Sequence, residues 1–341
     1  MSAHKSLLML LGAATLAACS SDSDEAGVAA ESTPAPAPAT VAVPGPAPAA
    51  PPAAMSNEIP DVIVAERGGF IPEGIEYDNA NGRFLTGSLA EGSIFEIGLD
   101  GSVTAVITDP ELVSTVGIEV DEARDRVLAA NSNRAAFGGG PSQAVFAAFS
   151  LTTGERLAMV DLDDLVDAGE GAAFFANDVA VADDGTAFVT DTMQNVVYRV
   201  GLDYAASIHY AFEGVEGLSL NGIEWHPDGY LIVIDSTNGR LYKLGTSNGS
   251  TPAMVAVPEA VAGGDGIVWN SSGALAVVQN SATDGRVTLL QSDDGWLTAS
   301  IAGVSTHAGQ ATTGAAVGDE IFSVQPHFND AEPPSIHRAT F

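Results

Sequence analysis

Cysteine is almost absent: Cys19 stands alone in 341 residues. No intrachain disulfide can form, so any fold rests on packing and hydrogen bonds. Basic residues are scarce, 12 Lys and Arg against 44 Asp and Glu, for a formal charge of −32. A field of that sign repels nucleic acid and anionic lipid and disfavours a polyanionic substrate. No long segment has helical periodicity, and no apolar run reaches the about 20 residues that a membrane-spanning helix needs. The H-E-x-x-H, P-loop and dinucleotide-binding glycine patterns are missing. A G-x-S-x-G match at residues 245–249 falls in a polar loop, whereas a nucleophile elbow needs a strand-to-helix turn. What remains is 46% hydrophobic, enough for a sizeable core.

The first 57 residues do not belong to that core. Residues 4–19, "HKSLLMLLGAATLAAC", read as a charged start, a short apolar stretch and small residues before Cys19. A run of about 12 apolar residues suits a signal peptide and is too short to span a bilayer. Leu16-Ala17-Ala18-Cys19 resembles the bacterial lipobox, which implies cleavage after residue 18 and lipidation of Cys19; the alternative is an ordinary cleaved signal peptide. Ser20 in the next position, by the same resemblance, points to the outer membrane, and the implied location is a lipid-anchored protein of the bacterial cell envelope facing the periplasm or the exterior. Residues 19–57 carry Ala-Pro repeats, "TPAPAPATVAVPGPAPAAPPAA". Proline at this density supports neither helix nor sheet, so the segment is expected to be a stiff, disordered tether of about 3.1 Å per residue.

From residue 58 to 341 the chain alternates short Val/Ile/Phe/Tyr runs with Asp-Gly, Asn-Gly and Ser-Gly, the grammar of strands and tight turns. One unit begins at Glu73, others at Val116, Asn177, Asn221 and Asp265, and the weakest at Thr313, with spacings of 43, 61, 44, 44 and 48 residues. Each runs from a short strand through a turn to a second apolar strand, then to a third. Repeats of this length predict an all-β, six-bladed β-propeller. The long gap holds "RAAFGGGPSQ" and the acidic "DLDDLVDAGEG", read as inserted loops with a helical turn. "DVIVAER", residues 61–67, lacks a partner of its own, and the last unit is one strand short. Pairing the two closes the ring and removes its edges.

The first residues of the six units occupy equivalent places on the innermost strands, so they ring the mouth of the central channel. Four of them carry oxygen: Glu73, Asn177, Asn221 and Asp265. The following residue is glycine in every unit except at Asp178. Singly, Asn-Gly and Asp-Gly are turn formers; recurring at one position of a repeat, and joined there by Glu73, they read as a ligand set. Two carboxylates and two amide oxygens without sulfur or imidazole suit a hard cation, Ca²⁺ first, with Mn²⁺ or Zn²⁺ as alternatives.

The motifs "PEGI", "ANDV", "LNGI" and "GDGI", in that order, resemble those of the regucalcin/gluconolactonase (senescence marker protein-like) family of six-bladed calcium propellers. The resemblance runs over about residues 60–341. It implies that Glu73, Asn177, Asn221 and Asp265 bind a divalent metal in the channel and that Asp265 is the catalytic base or nucleophile. The implied reaction is hydrolysis of a small lactone or related ester, with the metal polarising the carbonyl. Two departures stand out. Val116 replaces the histidine that the related paraoxonases have at the second unit, and the arginine that sugar-lactone members use has no evident counterpart.

In "GAAFFAN" the rings of Phe174 and Phe175 precede Asn177. If they face the channel they favour an apolar substrate; packing inside a blade is the other reading, and Phe175 with Asn177 forms the candidate substrate contact. His307 and His327 are candidate proton shuttles, while His226 in "WHPDG" reads as structural. The rival to an enzyme is a non-catalytic envelope propeller with a structural channel metal and a protein or glycan partner. A monomer is expected, without nucleic acid, touching the membrane only through its lipid.

Overall fold

The computed structural model describes residues 58–341 apart from 216, 282–283 and 329–331. The leader (1–18), Cys19 and the tether (19–57) lie outside the described residues. The remainder forms six four-stranded antiparallel sheets, the blades of a propeller. Innermost strands are Pro72–Asp78, Ser114–Asp121, Ala176–Val181, Leu220–His226, Gly264–Trp269 and Gly314–Val317 in blades 1 to 6. Five of the predicted unit starts lie on these strands and Thr313 directly precedes the sixth, as the repeat required.

Ring closure follows the predicted pairing. Val62–Val64 is the outermost strand of blade 6 and pairs with Ser335–Arg338, with Ile63 opposite Ile336. The Arg338 guanidinium reinforces the seam through Asp61, 2.9 Å away. Blade 6 is therefore built from both ends of the described residues.

Each sheet has one strand more than the repeat revealed in most units. Outer strands such as Val103–Ile107, Ala206–Ala211 and Ser300–Ala308 are half exposed. Packed on one side at most, they carry weak apolar alternation, so they are hard to tell from loops. The long gap in the repeat contains the loops expected of it, with 3₁₀ turns at Arg134–Gly138 and Asp163–Leu165. Among the described residues no helix is long and apolar enough to cross a membrane.

The core lies between blades. Leu128, Phe146, Val189 and Tyr198 fill the space between blades 2 and 3. Phe84, Phe95, Phe322 and Ile336 do so at the seam between blades 6 and 1. Because every second strand is buried on both faces, runs such as "LIVI" at residues 231–234 are continuously apolar. Asn238-Gly239 closes the hairpin that follows, with Gly239 at φ 62° as a tight turn demands.

Candidate active site

The strands that line the channel are interrupted at the same place in five blades. Pairing with the second strand slips between Pro72 and Ile75, Thr115 and Ile118, Ala176 and Val179, Leu220 and Ile223, and Gly264 and Ile267. Such a bulge leaves its residues outside the ladder and re-aims their side chains. The residues freed are 73–74, 116–117, 177–178, 221–222 and 265–266. The asparagine that opens an apolar strand in blade 4 is thus a bulge residue.

The bulges pack on one another around the ring. A methyl group on Gly74 would stand 2.5 Å from the carbonyl oxygen of Val116, and one on Gly222 would stand 2.6 Å from that of Asp265. Neighbouring backbones approach so closely that only glycine fits. Hydroxyls tie the exposed carbonyls: Thr312 donates to Glu73 O at 2.9 Å and Thr190 to Asn221 O at 2.6 Å. Gly222→Ala is accordingly expected to destabilise the fold by about 1–3 kcal/mol and to displace Asp265. Thermal melts of the variant beside the parent protein check that loss.

Glu73, Asn177, Asn221 and Asp265 all line one cavity of about 590 Å³ at the channel mouth. Glu73, Asn177 and Asp265 are 8%, 6% and 5% exposed. Asn177 Nδ2 donates to Thr192 Oγ1 at 2.8 Å, which leaves its carbonyl oxygen for the cavity. Asp265 accepts from Asn280 Nδ2 at 2.5 Å and from the side chain of Asn221.

Two buried carboxylates without a basic partner are electrostatically costly. Burial raises Glu73 well above the usual carboxylate range, and the negative charges of Asp265 and Asp178 raise it further. Burial likewise pushes Asp265 up to about 7, against the pull of its hydrogen bonds. A divalent cation between them would offset that cost, and the donor chemistry, two carboxylates with amide carbonyls, fits Ca²⁺. Among the described residues no three His, Cys, Asp or Glu side chains form a metal cluster; the amides of Asn177 and Asn221 complete the oxygen set.

The two phenylalanines part company. Phe174 packs into the core between blades 2 and 3, whereas Phe175 lines the cavity. The buried Asp191 decides this by accepting the Phe175 N–H at 3.2 Å and the N–H groups of Met193 and Gln194 at 2.8 Å. His307 lies on the outer strand of blade 5, stacked on His337 with centroids 5.0 Å apart, and neither His307 nor His327 lines the cavity. His226 stacks on Tyr230, a structural role as expected.

Several cavity residues were not visible in the sequence. Asn280 follows the second strand of blade 5, Leu275–Gln279. The same repeat position holds Leu89 and Thr192, so the periodicity that located Glu73, Asn177, Asn221 and Asp265 could have located it too. Arg134 and Phe137 come from the insertion in blade 2, and Phe328 from blade 6. Arg134 supplies a basic side chain at the rim where none was evident. Asp178 was noted only as a break in the glycine pattern; it receives the N–H of Ile223 in the next blade at 3.1 Å.

The profile of the SMP-30/Gluconolactonase/LRE-like region matches residues 71–314. The chain belongs to this family. No curated protein matches it in sequence. Similar solved structures include a luciferin-regenerating enzyme (13% identity, TM-score 0.60, covering 82% of this chain and 95% of that one). A gluconolactonase from Xanthomonas campestris shares 17% identity at a TM-score of 0.56, over 82% of this chain and 89% of its own. Virginiamycin B lyase from Staphylococcus aureus has 11% identity and a TM-score of 0.53, over 82% and 98%. At such identities the likeness to these structures concerns the fold.

Proposed function

We propose that this family member is a calcium-dependent hydrolase of a lactone or related ester. The observation that carries the reading is the convergence of Glu73, Asn177, Asn221 and Asp265 on one cavity. Membership of the SMP-30/gluconolactonase/LRE-like family supports it.

Glu73, Asp265 and the carbonyl oxygens of Asn177 and Asn221 would hold the cation, with Ca²⁺ preferred over Mn²⁺ or Zn²⁺ by this all-oxygen set. When bound, the metal supplies Lewis-acid polarisation of the ester carbonyl. Asp265 accepts a proton from water as the water oxygen bonds to the acyl carbon. The acyl carbon–ring oxygen bond then breaks, and the proton passes from Asp265 to the ring alkoxide, giving a hydroxy acid. Asn280 and Asn221 fix the Asp265 carboxylate in orientation, so the proton acceptor is positioned before substrate arrives. The apolar lining of the cavity limits water around the reacting carbonyl. Lipidation at Cys19 and the Ala-Pro tether would hold this activity at the cell envelope, off the membrane surface.

A panel of lactones and aryl esters followed with a pH indicator tests the reading. Hydrolysis is expected to be abolished by EDTA and restored by Ca²⁺. Calcium binding without cleavage of any ester would overturn it in favour of a non-catalytic propeller with a structural metal.

A further inference from the structure

The cavity lining is of two kinds. Beside the carboxylates and amides it holds an apolar set, Leu89, Val116, Phe175, Phe137 and Phe328. Leu89, Val116 and Phe175 are buried in one apolar cluster with Ala136, and Phe328 packs against it. Phe137 leans on Phe175, ring centroids 4.7 Å apart and planes at 59°, yet remains 65% exposed. It is carried by the 3₁₀ turn Arg134–Gly138, where Asn133 caps the start by accepting the Ala135 N–H at 3.0 Å. An ordered turn thus sets a largely exposed aromatic ring in the cavity lining.

The polar set has little capacity left. Asn177 donates to Thr192. Asn280 donates to Asp265 and accepts from the side chain of Gln310, each at 2.5 Å. Beyond the cation ligands and Asn280, Arg134 is the remaining polar side chain of the lining. A polyhydroxylated sugar lactone would bring several hydroxyls against rings and branched aliphatics, and buried hydroxyls without partners are unfavourable. An alkyl or aryl group would cover the same apolar set favourably.

Resting on the lactonase reading above, we infer that the substrate is a lactone bearing an apolar alkyl or aryl substituent, which lies along Phe175, Phe137 and Phe328 while the ring carbonyl faces Asp265. Phe137 is the specificity determinant for that substituent.

The test compares kcat/KM of the calcium-loaded protein on γ-butyrolactone, γ-heptalactone, γ-decalactone and gluconolactone, and calorimetric binding of the matching γ-alkyl lactams. The expected result is a rise in kcat/KM of about fourfold per methylene until the chain outruns the apolar lining, with gluconolactone the poorest substrate. Phe137→Ala should flatten the ratio between decalactone and butyrolactone by about tenfold; Phe137→Leu should restore part of it. Gluconolactone turned over as well as decalactone, or an unchanged ratio in Phe137→Ala, overturns the substrate inference and leaves the hydrolase reading standing. Lactam binding that strengthens with chain length and depends on Phe137, without turnover of any lactone, overturns the hydrolase reading and retains the apolar subsite. Absence of both overturns both.

Discussion

Asp265→Asn is expected to lower kcat on a lactone by about 10²- to 10⁴-fold, the range that a positioned general base contributes. The substitution keeps shape and an oxygen donor but removes the proton acceptor and one negative charge. At saturating Ca²⁺ the loss should therefore remain in kcat. Glu73→Gln, which alters a side chain assigned only to holding the cation, should instead weaken Ca²⁺ binding and recover most of its kcat when Ca²⁺ is raised. Asn280→Ala tests positioning, since it removes the 2.5 Å hydrogen bond that aims Asp265. Its expected cost is about tenfold, with a shift in the acidic limb of the pH profile that a purely structural role would not produce. Calorimetry checks metal occupancy in each variant. An Asp265→Asn protein that binds Ca²⁺ and turns over at the parental rate would remove Asp265 from the chemistry.

The propeller and the meeting of Glu73, Asn177, Asn221 and Asp265 in one cavity were legible for a single reason. In blades 1, 2, 4 and 5 a residue at the channel mouth is followed by a glycine against which the next blade presses, and that pattern recurs with the repeat. Gly74 and Gly222 mark that contact directly. Closure was legible because an orphan strand at residues 61–67 and an incomplete last unit are complementary. Residues that reach the cavity from loops were not: Arg134 and Phe137 sit in an insertion outside the period, and the approach of Phe137 to Phe175 exists only once blades 2 and 3 lie side by side. Phe174 and Phe175 could not be separated by alternation, because the bulge that follows breaks the two-residue period. A hydrogen bond from the second strand, at Asp191, settles which ring faces the channel.

The same inner strands predict an effect of pH on stability. Three residues beyond the ligand ring they carry Glu76, Glu119 and Glu224, which line a second cavity of about 510 Å³. At about 3.3 Å per residue this lies roughly 10 Å further along the channel. Burial, then the charge of Asp178, raises Glu76 to about 8. Burial, then the charge of Glu76, lifts Glu119 and Glu224 well above the usual range, with Asp178 adding to both and Glu224 adding to Glu119. Asp121 adds to the repulsion at Glu119, and the basic side chains nearby, Arg124 and Arg126, are already paired with Asp121. Carboxyls whose folded pKa lies above the unfolded value of 4.5 stabilise the fold fully below about pH 4.5. That stabilisation is lost as the pH rises through 8. Metal-free protein should accordingly melt several degrees lower at pH 8.5 than at pH 5.5. Glu76→Gln should recover much of the difference at pH 8.5 and gain distinctly less at pH 5.5, at about 2–4 °C per kcal/mol relieved. An equal gain at both pH values would mean that packing, and not repulsion, is the cause. Asp178 couples to Glu73 at the ligand ring and to all three glutamates. A cation at the ligand ring should therefore relieve part of the strain at the far end, and Ca²⁺ should raise the melting temperature more at pH 8.5 than at pH 5.5.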